Sequence, residues 1–234
     1  MTTWVENPTG GRDRGPRGLA RAWVEVLVRP RRFFRNGVAS GDQAPGLVFA
    51  VCVALVYVAS RFLFVPATRP QFFASEAASV VVGLLVAGLI VAPVGLHLVA
   101  ALEVVLLIPT VPDRAGVSET VQVIAYATAP MALAGVGVPP ALAGVAGLDT
   151  VLAAWRLLLA GYGVVLFVVG IATVHDTSLP RAAVAAAIPA LVVFGYFYGG
   201  VYALETATGL EFVRGSGLAD AGSTDMETQL PGRR

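Results

Sequence analysis

The sequence has no lysine, one cysteine and very little charge. Asp, Glu, Lys and Arg make up 13% of its 234 residues, against about 25% in soluble domains. A water-facing surface built from this chain would lack roughly half of the usual charge. The charge that exists is segregated: most of it lies before Ala44, after Leu204, or in short breaks between long apolar runs. Cys52 stands alone inside one of those runs, which excludes an internal disulfide and any multi-cysteine metal site and leaves it as a small apolar side chain. There is no His-Glu-x-x-His, no Gly-x-Ser-x-Gly, no P-loop and no Gly-x-Gly-x-x-Gly. No catalytic, cofactor-binding or metal-ligating residue is therefore assigned, and no cofactor is expected.

What is present is apolar. Hydrophobic residues are 56% of the chain and the mean hydropathy is +0.77. A helix crosses a ~30 Å hydrocarbon core in about 20 residues, and five runs fit that length: Ala44 to Val65, Ala77 to Leu102, Thr120 to about Val138, Thr150 to Val174, and Pro180 to Leu204. Glu103 to Pro109 closes the second run. The third is interrupted by Pro130 and stopped by Pro139-Pro140, and the Gly- and Ala-rich stretch Ala141 to Leu148 reads either as its continuation or as a loop. Pro93 and Pro189 fall inside other runs, where neighbouring helices can satisfy the freed carbonyls. The runs show no period-two alternation, which excludes a membrane β-barrel. The fold class expected is all-α, a polytopic membrane protein with five transmembrane helices over 44–204.

The flanks differ. Residues 1–17, rich in Gly, Pro and Arg, and the polar tail 205–234 are expected to be disordered. No cleavable signal peptide is expected, because Trp23 to Val28 is too short for an h-region. Between these lies an amphipathic element over 18–36. Leu19, Trp23, Val26 and Leu27 share one helical face, Arg21, Glu25 and Arg29 share another, and Pro30 ends the helix. Arg31, Arg32, Phe33, Phe34 and Arg35 follow, mixing two rings with three guanidinium groups. A basic, Trp-bearing helix of this kind suits the headgroup layer; the plainer alternative is packing on the protein's own cytoplasmic face. With the N-terminus inside, cytoplasmic segments carry ten of the counted arginines and outer segments four, so the N-terminus is expected in the cytoplasm and the C-terminus outside the cell membrane.

Charges inside the membrane cost about 2.5–3.5 kcal/mol each at a helix centre, so each needs a reason. Arg61, Glu76, Asp149 and Arg156 fall toward the outer ends of their spans, consistent with snorkelling or a structural ion pair or with a polar vestibule for a substrate. His97 and Glu103 lie nearer the cytoplasmic end, as hydrogen-bonded structural groups or as a proton relay. His175-Asp176 reads as a loop cap. Small residues at four-residue spacing, Gly195 with Gly199, Ala182 with Ala186 and Ala125 with Ala129, permit close helix approach, within the chain or to a partner.

Three stretches together resemble the Yip1 family. Pro30-Arg31-Arg32-Phe33-Phe34 is similar to the P-x-x-F-F opening of prokaryotic members. Thr120 to Pro130 resembles the family's T…A-Y-A-x-x-P stretch, and Trp155, Gly170, His175, Ser178, Arg181 and Ala182 match in order a W…G…H…S…(K/R)-A run. The resemblance implies five spans and a cytoplasmic N-terminus. Eukaryotic relatives act in vesicle trafficking and bind prenylated Rab-type GTPases; this short, Arg-rich N-terminus lacks their long acidic segment, and the lysine-free chain reads as prokaryotic. The expected function is non-enzymatic, the organisation of membrane partners or of the bilayer. The alternative is a small-solute or ion transporter using its proline-broken spans with His97, Glu103 and Arg156. An intramembrane hydrolase is disfavoured by the missing nucleophile and base. Partners are expected to be the lipid bilayer and other membrane proteins or a second copy, not nucleic acid.

Overall fold

The computed structural model describes residues 15–210, which are helical and turn structure without strands. Two short helices come first, α1 (Pro16–Val28) and α2 (Pro30–Gly37), each with proline in its first turn, where the missing N–H costs nothing. α3 (Ala44–Phe64) is the first long apolar helix. The second is composite: α4 (Glu76–Val86), a π-helical turn (Ala87–Val91) and α5 (Ala92–Leu107) run on as 32 residues. Pro93 explains the wide turn, since its ring clashes with the carbonyl four residues earlier and the helix relaxes by widening there. α7 (Leu148–Val174) is the longest helix. α8 (Leu179–Ala190) continues into a π-helical stretch (Leu191–Phe197), and after Gly199, whose φ of 70° is left-handed, α9 (Gly200–Thr208) turns back along α7.

Four of these helices are long and apolar enough to cross a membrane: Ala44–Phe64, Glu76–Leu107, Leu148–Val174 and Leu179–Phe197. The third expected run is not among them. It forms α6 (Val117–Ala127), only 11 residues long, followed by a 3-10 turn (Ala129–Leu133) and a loop with a second 3-10 turn (Pro140–Leu142). Pro130 cannot donate to the helical ladder, so the α-helix stops before it. This broken stretch is nonetheless the centre of the molecule: every residue from Thr120 to Met131 is buried, and α6 lies against α3, α5 and α7. It runs alongside α3 in the same direction. Gly46 meets Gln122 at one end, which is called basal below, and Gly135 meets Tyr57 and Ser60 toward the other, distal, end.

The 18–36 element also differs from expectation. It is two helices rather than one, and their apolar side faces protein. Ala22, Val26, Phe33 and Phe34 are at most 1% exposed. Phe33 meets Tyr126 edge-on at 4.8 Å between ring centres, and Phe34 lies against Gly170. Side chains there have room because Gly170 has none: a Cβ would come within 2.6 Å of Val123 and 3.0 Å of Phe34. The second long helix ends at Leu107, within the Glu103 to Pro109 stretch expected to close it, and Glu103 is buried. Of the two flanks expected to be disordered, residues 1–14 and 211–234 lie outside the described residues; α1 begins at Pro16 and α9 extends to Thr208.

Candidate functional site

The distal polar residues turn out to repair the broken centre. A stretch that leaves the helical ladder inside a bilayer exposes carbonyls, and each must find a donor. Trp23 Nε1 of α1 donates to Ala129 O at 2.8 Å. Trp155 Nε1 of α7 donates to Leu133 O at 3.2 Å. The next residue, Arg156, donates through Nε to Ala134 O at 3.1 Å and through Nη2 to Val136 O at 3.4 Å. Arg156 thus caps the irregular chain rather than facing Asp149, which is exposed. Arg69 pairs with Glu76 in the distal loop, and Arg61 borders Gly137.

His97 and Glu103 are not brought together. Six residues on one helix place them about 120° apart around its axis. His97 Nδ1 bonds the carbonyl of Pro93 at 2.7 Å, while Glu103 is 0% exposed and both of its oxygens are without a hydrogen-bond partner. An ionisable group placed this way inside a membrane protein is a functional candidate by default.

At the basal end, Gln122 ties the N-terminal helices down. Its Nε2 donates to Ala39 O at 2.7 Å and its Oε1 accepts from Ala39 N at 3.1 Å. His175, 2% exposed, caps α7 through its backbone and meets Thr120 Oγ1 through Nε2 at 3.2 Å. The Thr120 hydroxyl donates to Gly116 O at 3.0 Å, so Nε2 is the donor toward Thr120 and carries the proton, leaving Nδ1 unpartnered. Burial, which Arg114 reinforces and Glu119 partly opposes, pushes the His175 imidazole down to about 4. Its stabilising effect is fully present above the unfolded value near 6.5 and is lost as pH falls toward 4, because the unfolded chain takes up the proton first. Thermal midpoints of detergent-purified protein are expected to fall over that window by the equivalent of about 3 kcal/mol at most. His175→Gln is expected to flatten the profile relative to wild type; parallel curves would refute the assignment. Asp176 follows in a left-handed conformation at φ 46°, a place where Asp is tolerated.

Two concavities lie among these helices. One, of about 110 Å³, lies between α3, α5 and α6, and is bounded by Tyr57, Thr128, Tyr198 and by both π-helical stretches through Val91 and Phe197. Tyr57 donates its hydroxyl to Tyr198 O at 2.9 Å at its edge. The other is an apolar groove of about 510 Å³ along α7, α8 and α9, lined by Gly161, Val164, Ala183, Ala187 and Leu204. Of the small residues singled out in the sequence, Ala186 and Gly195 line this groove at its buried side, whereas Ala182, Ala125 and Ala129 are packed within the bundle. The close approaches that sequence spacing missed are Gly163 against the Phe194 ring and Gly135 against α3. The seven-residue spacing of Gly163 and Gly170 was the available signal, since it puts both on one helix face.

Among the described residues, no group of three or more His, Cys, Asp or Glu side chains could hold a metal ion. No curated protein and no solved structure shows significant similarity to the chain. Residues that carry the resemblance described above also help build this centre: Trp155 as a carbonyl donor, Gly170 as the seat of α2, His175 as the bond to Thr120 and Ala182 in the core. With the Yip1 domain matched over residues 24–201, most of its length, this multi-pass membrane chain belongs to the Yip1 domain family.

Proposed function

We propose that the protein crosses the cell membrane five times, with its N-terminus in the cytoplasm and its C-terminus outside, and that it organises membrane partners or the bilayer without catalysing a reaction. The fifth crossing is the broken third stretch. Its 11-residue helix and five-residue 3-10 turn together reach about 26 Å, close to the ~30 Å core, and it keeps pace with α3. The observation that carries the organising role is the groove along α7, α8 and α9. It remains open after the bundle has used its other small-residue faces, and a Cβ added at Gly161 would meet nothing within 4 Å. In lipid such a surface admits a second helix at close range, where packing drives association.

Single cysteines at Gly161 and Ala187, in a Cys52→Ser background, are expected to cross-link in native membranes to a second copy or to one recurrent membrane protein. Monomer alone at both positions would overturn the organising role. The same background reports sidedness: a cysteine at Thr9 should react with an impermeant reagent only from the cytoplasmic side, and one at Ser223 only from outside. A second reading, a small-solute or ion transporter, draws on Glu103 and the cavity beside the two π-helical stretches. Flux in proteoliposomes that Glu103→Gln abolishes would place it first.

A further inference from the structure

α2 carries its two rings and its two outward guanidinium groups on opposite sides. Phe33 and Phe34 are each 1% exposed, so the helix is held by the core and its other face is fixed in place. Arg31 and Arg35, one turn apart, are exposed on that face. They overhang the end of α7 and the start of α8, walling a groove of about 310 Å³ with Val169, Thr173, Asp176 and Thr177. Among the described residues neither guanidinium makes an ion pair or a hydrogen bond. Asp176 lines the same groove without pairing to either.

Local charge is not balanced by the protein. The C-terminus of α7 contributes roughly half a negative charge and Asp176 one more, against Arg31, Arg35 and the exposed Arg32 beside them. A net cationic rim therefore remains on a groove whose lining is mainly polar, Thr173, Asp176 and Thr177 among it, with a smaller apolar part that includes Val169 and Ala172. The groove also sits at a defined depth. The apolar run of α7 ends at Val174, so the groove opens where hydrocarbon gives way to headgroups. Two planar forks over a polar groove at headgroup depth match the anionic head of a lipid whose chains stay in the bilayer. A free phosphate would meet the same forks without that anchoring.

We propose that this groove binds the phosphodiester of an anionic phospholipid, with Arg31 and Arg35 holding its non-bridging oxygens while its chains remain in the adjoining bilayer. This gives a chemical identity to the bilayer contact of the preceding reading, and it rests on the basal end lying at a headgroup layer.

The test uses the full chain in neutral detergent, with lipid adducts and affinities read by native mass spectrometry. The probes are dioctanoyl phosphatidylglycerol, dioctanoyl phosphatidylcholine and inorganic phosphate. Phosphatidylglycerol is expected to bind at least roughly tenfold more tightly than phosphatidylcholine. The double variant Arg31→Gln, Arg35→Gln should erase that preference, whereas Arg31→Lys, Arg35→Lys, which keeps the charge, should retain part of it. The matched variant Arg17→Gln, Arg21→Gln removes two exposed charges from α1 and should change nothing. Equal binding of both lipids would overturn the proposal. So would an equal loss in the α1 variant, which would mean diffuse charge, or inorganic phosphate competing as well as the lipid, which would mean a free-anion site. Cross-links at Gly161 and Ala187 that persist while lipid preference is absent would remove this site and leave the organising role standing.

Discussion

Gly135→Val is expected to prevent the broken third stretch from seating on α3, leaving most of the protein aggregated on extraction or degraded before it. A Cβ at this position would lie 2.5 Å from the carbonyl oxygen of Tyr57 and 2.7 Å from the Ser60 Cβ. Neither atom can be moved by a change of rotamer, because one is backbone and the other is fixed to it. Overpacking a core usually costs about 1–3 kcal/mol, and here relief requires the third stretch to shift away from α3. Gly144→Val is the matched control, since a Cβ there meets nothing within 4 Å. Detergent extracts analysed by size-exclusion chromatography should give a monodisperse peak for wild type and Gly144→Val and little or none for Gly135→Val. A Gly135→Val protein that elutes and melts like wild type would show that the third stretch does not pack on α3 as described.

Arg156→Met should destabilise the same region by a different route. It keeps the length of the side chain but removes the donors to Ala134 O and Val136 O. Each buried carbonyl left without a donor costs about 1–3 kcal/mol, and Ala134 is 0% exposed. Arg156→Lys can serve one carbonyl and should fall between the two. Asp149→Asn separates this role from a polar vestibule. If Arg156 worked with Asp149 on a solute, both changes would impair the same activity; if Arg156 is a backbone cap, Asp149→Asn leaves the thermal midpoint where it was. A large drop for Arg156→Met beside an unchanged Asp149→Asn is the expected pattern.

The long helices were legible because lipid leaves an unambiguous mark on composition. The first, Ala44 to Val65 by length and hydropathy, ends one residue earlier, and the fourth, Thr150 to Val174, begins two residues earlier. Glu103 opens the stretch that closes the second run, and the helix does end within that stretch, at Leu107; what the spacing does not show is that Glu103 is buried in the bundle. The third stretch was legible as apolar and interrupted, but not as a set of bonds. Its donors come from residues 106, 22 and 20 positions away, and no local spacing announces contacts at those separations. The spacing of Arg156 is consistent with a structural charge, but it does not show that the partners are the carbonyls of Ala134 and Val136. The N-terminal helices show the same limit. Periodicity marks which face is apolar, and only the glycine on a distant helix decides whether that face meets lipid or protein.

The bond from Trp23 to Ala129 has a consequence for how the chain is made. Trp23 leaves the ribosome early, yet its acceptor is translated more than a hundred residues later, and Tyr162, whose hydroxyl donates to Leu27 O, later still. The arm synthesised first is therefore among the last to be fastened. Until α6 is in place Phe33 has no ring to meet, and until α7 has been inserted Phe34 has no seat, so anything that shields two adjacent rings during biosynthesis would act on this segment before any other.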